Sequence, residues 1–345
     1  MTKKPLTIND IAAQANVSNA TVSRYLNGHY EKMSADTRTR IQQVIGATGF
    51  RLNRQAQSLK RQSSHLIGMV VADVENLFSS LLFKGADQVL AAAGYQIVLM
   101  NADNNLDTER QQLQRLLALQ VDGIILQPVS ATAAHYAFLQ QSLPVVDLVD
   151  RQLRGTDWPQ VTTDNYRYSV QLARAVAGHG YDQLVVVTPP LGDNTARDER
   201  YRAVTDLCER QTFIQPLQTL IVQPETPNTK LYQQLHTTLK NRAGHTALYV
   251  LQGHLLLQVM TVLAENQIKI PDQVGLVAYD DWSLSQLMQP GITTIQQRPR
   301  AMGQRVATNV LRQLAGQTVE PLTMIDSTLH ERDSLSMFAK NRPLT

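Results

Sequence analysis

The sequence predicts a small all-α helix-turn-helix headpiece, a short basic connector with room for one short helix, and a much larger α/β core of two lobes with mostly parallel sheets. Three observations lead there. Thr7–Asn27 (TINDIAAQANVSNATVSRYLN) has the apolar spacing of two short helices joined by a tight turn. Positive charge is concentrated at one end: residues 1–62 hold ten Lys or Arg against Asp10, Glu31 and Asp36, so this piece carries +7 and the rest −4 of the overall +3. From Leu66 onward, short apolar runs alternate with amphipathic stretches, the texture of parallel sheets covered on both faces.

In the first helix Ile8, Ile11, Ala12 and Ala15 recur at helical spacing, Asn16 supplies a residue that tolerates the left-handed turn, and Ser18 caps the second helix. There Val22, Tyr25 and Leu26 point inward, leaving Asn19, Ala20, Ser23 and Arg24 outside. Small polar residues and one Arg at an exposed helix start suit base edges in a major groove; an ordinary helical hairpin has the same spacing. After the loop GHYEKM, Ser34 opens a third helix with Asp36 in its first turn, an inner face of Ile41, Val44, Ile45 and Thr48, and Gly49 as its end.

The connector RLNRQAQSLKRQSS is polar and basic. Asn53 can cap one short helix, Arg54–Lys60, with Ala56 and Leu59 on one face. Two readings stand: a flexible linker, or a hinge that becomes helical against DNA and places Leu59 as a wedge in the minor groove.

The core reads as strands LIGMVVADV, YQIVLM, VDGIILQP, LPVVDLVD, LVVVTP, LQTLIVQP, TALYVLQ and VGLVAYD. Helices are expected over 78–93, 107–119, 131–141, 166–178, 197–210, 229–242, 254–266 and 300–314. A total of about nine or ten strands exceeds one comfortable sheet, hence two lobes. Ligands bind beyond the carboxyl ends of such strands, and those ends are rich in Asp, Asn, Ser and Arg, as a polyhydroxylated ligand requires.

Composition bounds the function classes. Cys208 is the lone cysteine, which excludes an intrachain disulfide, and the start MTKKPLTIND lacks a signal-peptide apolar run. No stretch reaches the roughly 18 apolar residues of a membrane span, so a cytoplasmic protein without a membrane partner is expected. The eight His residues never fall three or four apart, and no Walker, G-x-G-x-x-G or H-E-x-x-H sequence occurs. No enzyme, metal or cofactor is therefore expected.

With these segments in view, the chain resembles the lactose-repressor (LacI/GalR) family of bacterial transcription regulators over nearly its whole length. The markers are T-I-x-D-I-A at Thr7–Ala12, V-S-x-A-T-V-S-R-x-L-N at Val17–Asn27 and N-R-x-A-x-x-L at Asn53–Leu59. Weaker marks follow in order: L-I-G at Leu66, V-D-G-I-I at Val121, T-D-N at Thr163, Y-D-D at Tyr279 and T-T-I at Thr293.

The resemblance implies a homodimer on palindromic double-stranded operator DNA and a periplasmic-binding-protein-like core whose lobes close on a small sugar or sugar acid, changing operator affinity. It implies regulation, most simply repression, of carbohydrate catabolic genes. DNA contacts are then expected from Thr7, Ser18, Asn19, Ala20, Thr21, Ser23, Arg24 and Asn27, with Asn53, Ala56 and the intercalating Leu59 in the hinge. Effector contacts are expected from Phe78, stacking on the ligand, and from Asp150, Arg151, Asp164, Arg200, Gln252 and Asp280. The implied divisions are 1–52 (headpiece), 53–65 (hinge), 66–335 (core, with lobe crossings near Val161, Ile292 and Pro321) and 336–345 (tail).

The chain departs from the family at Leu52 and Leu77, each standing for a usual Pro, and at Gln252–Gly253, which replaces a common Asn–Asp pair. The strand before Asp150–Arg151 and the loop GHYEKM are each one residue longer than usual. That loop and the YDDW ending are similar to the subgroup governing ketodeoxygluconate or gluconate use; a sugar acid needs a cation, for which Arg200, Arg151, Lys84 and His254 are candidates. Two other readings remain: a regulator with a phosphorylated carrier protein as corepressor, and a sugar-binding protein without DNA function.

Overall fold

The computed structural model describes residues 6–26, 28–31, 33–50, 63–143, 145–210, 212–240, 244–280 and 284–338. They form two compact units, Met1–Ser64 and His65–Thr345. Asn27 and the hinge residues Asn53, Ala56 and Leu59 lie outside the described residues.

Among the described residues three helices build the first unit: α1 (Ile8–Gln14), α2 (Asn19–Leu26) and α3 (Ala35–Thr48). Thr7 starts α1 with a capping box, its hydroxyl accepting from the Asp10 amide while the Asp10 carboxylate takes the Thr7 N–H at 2.7 Å. Asn16 turns the chain with φ 49°, and Gly49 ends α3 at φ 63°. Ile11, Ala12, Val22 and Phe50 form the core, with Ile8, Val17, Leu26, Val44 and Ile45 against it. Two positions differ from expectation. Tyr25 leaves the core to meet Tyr30 edge-on at 5.7 Å, and Phe50, past the helical repeat and hence invisible to periodicity, closes it.

The second unit holds two six-stranded sheets. Strands β1 (Leu66–Val71), β2 (Gln96–Asn101), β3 (Gly123–Leu126), β4 (Val146–Val149), β5 (Gln160–Thr162) and β11 (Leu322–Met324) form an all-parallel sheet in the order β11-β5-β4-β3-β1-β2. Strands β6 (Gln183–Thr188), β7 (Gln218–Ile221), β8 (Thr246–Val250), β9 (Gly275–Tyr279), β10 (Thr293–Gln296) and β12 (Thr328–His330) form the other, β12-β10-β9-β8-β6-β7, with only β12 antiparallel.

Helices α4 (Leu77–Ala92) and α11 (Pro299–Leu314) cover one face of the first sheet, and α5 (Leu106–Ala118) with α6 (Ala137–Ser142) the other. On the second sheet, α7 (Asn165–Gly178) and α8 (Thr195–Glu209) lie opposite α9 (Asn228–Lys240) and α10 (Gly253–Glu265). Alternate residues of each strand feed the two cores: Ile67, Met69 and Val71 face α4 and α11, while Val70 faces α5. No helix among the described residues is long and apolar enough to cross a membrane.

Twelve strands among the described residues therefore replace the nine or ten expected. The additional ones are short, and three residues carry too little period-2 signal to read. They also move the crossings. The chain passes between lobes after Thr162, between Gln296 and Pro299, and between Met324 and Thr328. The second and third passages come later than Ile292 and Pro321 because Thr293–Gln296 and Leu322–Met324 are themselves strands. Thr163 and Ser327 join two of the crossings through their hydroxyls at 2.8 Å. The tail expected from residue 336 is packed as far as Phe338, which stacks on His245 at 3.5 Å and donates its N–H to the His179 carbonyl at 2.9 Å.

Helices α4 and α11 cross at backbone contact. A Cβ at Gly303 would strike the Leu82 carbonyl oxygen, and one at Gly85 the Arg300 carbonyl oxygen. Neither obstacle can rotate away, so Gly303→Ala is expected to cost about 2–3 kcal/mol by forcing the helices apart. Urea unfolding of the full chain measures this; a midpoint equal to that of the unmodified protein would show that the crossing adapts freely.

Candidate functional site

The carboxyl ends of the parallel strands in both lobes meet at a cleft with an empty volume of about 390 Å³, open solvent included. Phe78, Gln127, Asp150 and Arg151 line it from the first lobe, and Asn194, Arg197, Arg200, Gln252, Asp280 and Gln297 from the other side. Two acids anchor its ends. Asp150 follows β4 and Asp280 follows β9, and both have left-handed backbones, with φ 66° and 75°. Non-glycine residues persist there only where neighbours hold them. For Asp150 these are the Val161 carbonyl, taking its N–H at 2.8 Å, and the Thr162 hydroxyl, donating to its carbonyl at 2.7 Å.

Arg200 is the most tightly held group. Buried at 6% exposure, it lies 3.6 Å over the Tyr279 ring. Its Nε donates to Asn165 Oδ1 and its Nη1 to the Leu251 carbonyl, each at 2.8 Å, with Asp280 Oδ2 4.0 Å away. Burial works against its charge, but Asp280, Tyr279 and Asp150 outweigh it and raise its pKa. Asp280 also accepts from Gln297 Nε2 and from the Gly253 N–H at 3.4 Å. Across the cleft, Asp150 takes the Gln127 amide at 2.7 Å; burial raises its pKa despite the nearby Arg200 and Arg151.

Arg151 donates to Asn104 Oδ1 at 3.1 Å and to the Pro128 carbonyl at 3.4 Å, while its Nε is buried with no hydrogen-bond partner; burial lowers its pKa. Arg197 was not foreseen from the sequence. It projects from the first turn of α8, donating to the Pro190 carbonyl and to Gln252 Oε1 at 3.3 Å. Burial, then repulsion from Arg151 and Arg200, pushes its pKa down to about 9. Its spacing of one helical turn from Arg200 is the signal that could have found it.

Six of the seven expected effector residues thus line the cleft: Phe78, Asp150, Arg151, Arg200, Gln252 and Asp280. Asp164 does not. Its carboxylate caps α7, accepting from the Arg167 N–H at 2.9 Å, and its neighbour Asn165 is the residue that holds Arg200. Lys84 and His254 are likewise absent from the lining. Leu77 in place of Pro leaves the helix start intact, because Asn76 Oδ1 caps it at the Phe78 N–H, 3.0 Å away, and Phe78 still faces the cleft. At the rim two bonds bridge the lobes, Ser130 Oγ to Asp193 Oδ2 at 2.9 Å and the Gln152 N–H to Thr195 Oγ1 at 2.7 Å.

In the headpiece Thr7, Ser18, Asn19, Ala20 and Arg24 are exposed, and Thr21 and Ser23 half-buried. Ser18, Asn19 and Ala20 form the outer start of α2, with Arg24 in its last turn, while Thr7 caps α1.

A helix-turn-helix unit followed by a two-lobed α/β core with a polar interlobe cleft defines a transcriptional regulator whose DNA-reading part accompanies a small-molecule-binding fold. The chain belongs to the lacI family of bacterial regulatory proteins. The model of that family's DNA-binding part matches residues 7–53, and a periplasmic-binding-protein-like domain matches residues 173–335. The chain is 32% identical over 327 residues to the HTH-type transcriptional regulator KdgR of Bacillus subtilis (strain 168), covering 92% of this chain and 94% of that protein. It is 35% identical over 313 residues to the HTH-type transcriptional regulator PtxS of Pseudomonas plecoglossicida, covering 90% of each. Its fold superposes on the lac repressor dimer bound to operator and the anti-inducer ONPF with a TM-score of 0.81 at 21% identity, over 96% of this chain and 100% of that one.

Proposed function

We propose that this protein is a cytoplasmic homodimeric regulator of carbohydrate catabolic genes that binds a palindromic operator through α2 and the hinge, and that its effector is a sugar acid held between the lobes. The observation carrying the effector class is the charge of the cleft. Three guanidinium groups, Arg151, Arg197 and Arg200, face two carboxylates, Asp150 and Asp280, that are already hydrogen-bonded to Gln127, Gln297 and Gly253. Arg197 has the Pro190 carbonyl and the Gln252 amide oxygen, both uncharged, as its hydrogen-bond partners. A ligand carboxylate supplies the missing negative charge, and its hydroxyls match Asp150 and Asp280. Binding that favours closed lobes shifts a two-state equilibrium coupled to DNA affinity. No catalysis is part of this reading: burial pushes the Cys208 thiol up to about 11, the wrong direction for a nucleophile.

A thermal-shift screen of the full chain against aldonic and keto-aldonic acids and their neutral parent sugars tests the effector class. Acids should raise the melting temperature and neutral sugars should not. Arg197→Gln should reduce the affinity for the acid roughly tenfold or more, with little change in melting temperature without ligand. Stabilisation by neutral sugars alone would sink the sugar-acid reading.

A further inference from the structure

The headpiece contains one contact between its first two helices that packing does not require. Asn19, the first residue of α2, donates from its Nδ2 to Oδ1 of Asn9, the second residue of α1, at 2.7 Å. Both side chains are exposed. We propose that Asn9 is a positioning residue for sequence reading, holding the Asn19 carboxamide in the orientation that recognises adenine. The proposal rests on the reading of α2 as the base-reading helix.

The argument is one of hydrogen-bond inventory. Among the outward residues at the start of α2, Ser18 is already committed, its hydroxyl accepting from the Thr21 N–H at 3.2 Å and hydrogen-bonded to the Thr21 hydroxyl at 2.9 Å. Ala20 has only a methyl group. Asn19 is therefore the polar reader at this end of the helix. Its amide has two N–H donors and one oxygen. The bond to Asn9 uses one N–H; we assign to it the N–H pointing away from the oxygen, which keeps the N–H beside the oxygen for the pair that matches N7 and the N6 amino group of adenine in the major groove.

A free Asn on an exposed helix start rotates among several conformers, so recognition would carry the cost of ordering it. Asn9 removes that cost before DNA arrives. Its own position is set, because the Thr7–Asp10 capping box fixes the turn of α1 from which it projects. The first helix of such a motif crosses the DNA backbone while the second enters the groove. Asn9 thus couples placement on the backbone to the orientation of a base-reading group.

The test selects bound sequences from a duplex library of randomised positions, using the full-length protein and the variants Asn9→Ala, Asn9→Asp and Asn19→Ala, with thermal unfolding in parallel. Asn19→Ala and Asn9→Ala should both lose adenine preference at the same symmetric pair of half-site positions, Asn9→Ala by roughly fivefold or more. Asn9→Asp should retain the preference, because a carboxylate still accepts the Asn19 N–H, while binding every sequence more weakly through its added negative charge. If Asn9→Ala keeps the unmodified base profile while Asn19→Ala loses it, the positioning role is wrong. If Asn19→Ala also keeps the profile, the base-reading role of Asn19 fails and the proposal with it. Uniform weakening on all sequences, tracking a fall in melting temperature, would reduce Asn9 to a packing residue and overturn it.

Discussion

Arg200→Ala is expected to abolish the response of DNA binding to the effector while leaving ligand-free DNA binding in place. The guanidinium joins four parts of the cleft: it donates to Asn165 and to the Leu251 carbonyl, faces Asp280 and covers the Tyr279 ring. Truncation leaves Asp280, 5% exposed, without its cation, and breaking one side of a buried pair costs about 3–5 kcal/mol. The same loss removes the group that orients both the ligand-facing acid and the start of α7, where the chain has just crossed between lobes. The headpiece has its own core and caps, so its DNA affinity without ligand should persist. Fluorescence anisotropy of a labelled operator, with and without the acid that gives the largest thermal shift, measures both properties. Arg200→Lys provides the control: it keeps the charge but not the planar fork, and should recover stability without response. A full response in Arg200→Ala would make Arg200 a structural residue only.

Asp147→Asn is expected to change the pH dependence of stability from a site under α11 rather than in the cleft lining. Asp147 lies in β4 facing α11, fully buried. Gln313 Nε2 reaches its Oδ2 at 3.3 Å, while Oδ1 has no hydrogen-bond partner. Burial pushes its pKa up to about 8 from the ordinary 3.8, despite hydrogen bonds that favour the charged form. In the folded chain it therefore keeps its proton up to about pH 8, whereas the unfolded chain releases it near pH 4. Between those values the folded state binds the extra proton, so stability falls as pH rises and levels off above the folded pKa. The loss between about pH 5 and pH 8 should be on the order of 3 kcal/mol. Asn has the shape of the protonated acid and does not titrate. The variant should therefore show a flatter stability profile and exceed the unmodified protein at the alkaline end, as followed by urea unfolding across pH. Parallel profiles for the two proteins would refute the assignment.

These two residues mark what was legible in the sequence. Arg200 was readable because it matches a family position; its partner Asn165 was not, because the adjacent Asp164 is the more obvious ligand. In the structure Asp164 is consumed by capping α7, and one residue's shift around the helix start turns Asn165 inward. Asp147 was invisible in the apolar run LPVVDLVD. Its orientation follows from strand alternation, but its burial depends on α11, which enters from far along the chain, after β10 of the second lobe. Arg197 sat one turn from Arg200, yet only the neighbouring Pro190 carbonyl and Gln252 show that its side chain lines the cleft rather than the solvent face of α8.

The sequence by itself determined the three-helix headpiece, the +7 charge of residues 1–62, the alternation of strands and helices and the acids at the strand ends, because these depend on local periodicity, capping and composition. The tertiary structure alone decided where the second and third lobe crossings fall, the short strands Gln160–Thr162, Leu322–Met324 and Thr328–His330 beside the first and third crossings, and which cations meet in the cleft. Those features are set by pairings between residues far apart in the chain. A three-residue strand is defined by its neighbour, and a cleft by two lobes that the polypeptide visits in turn.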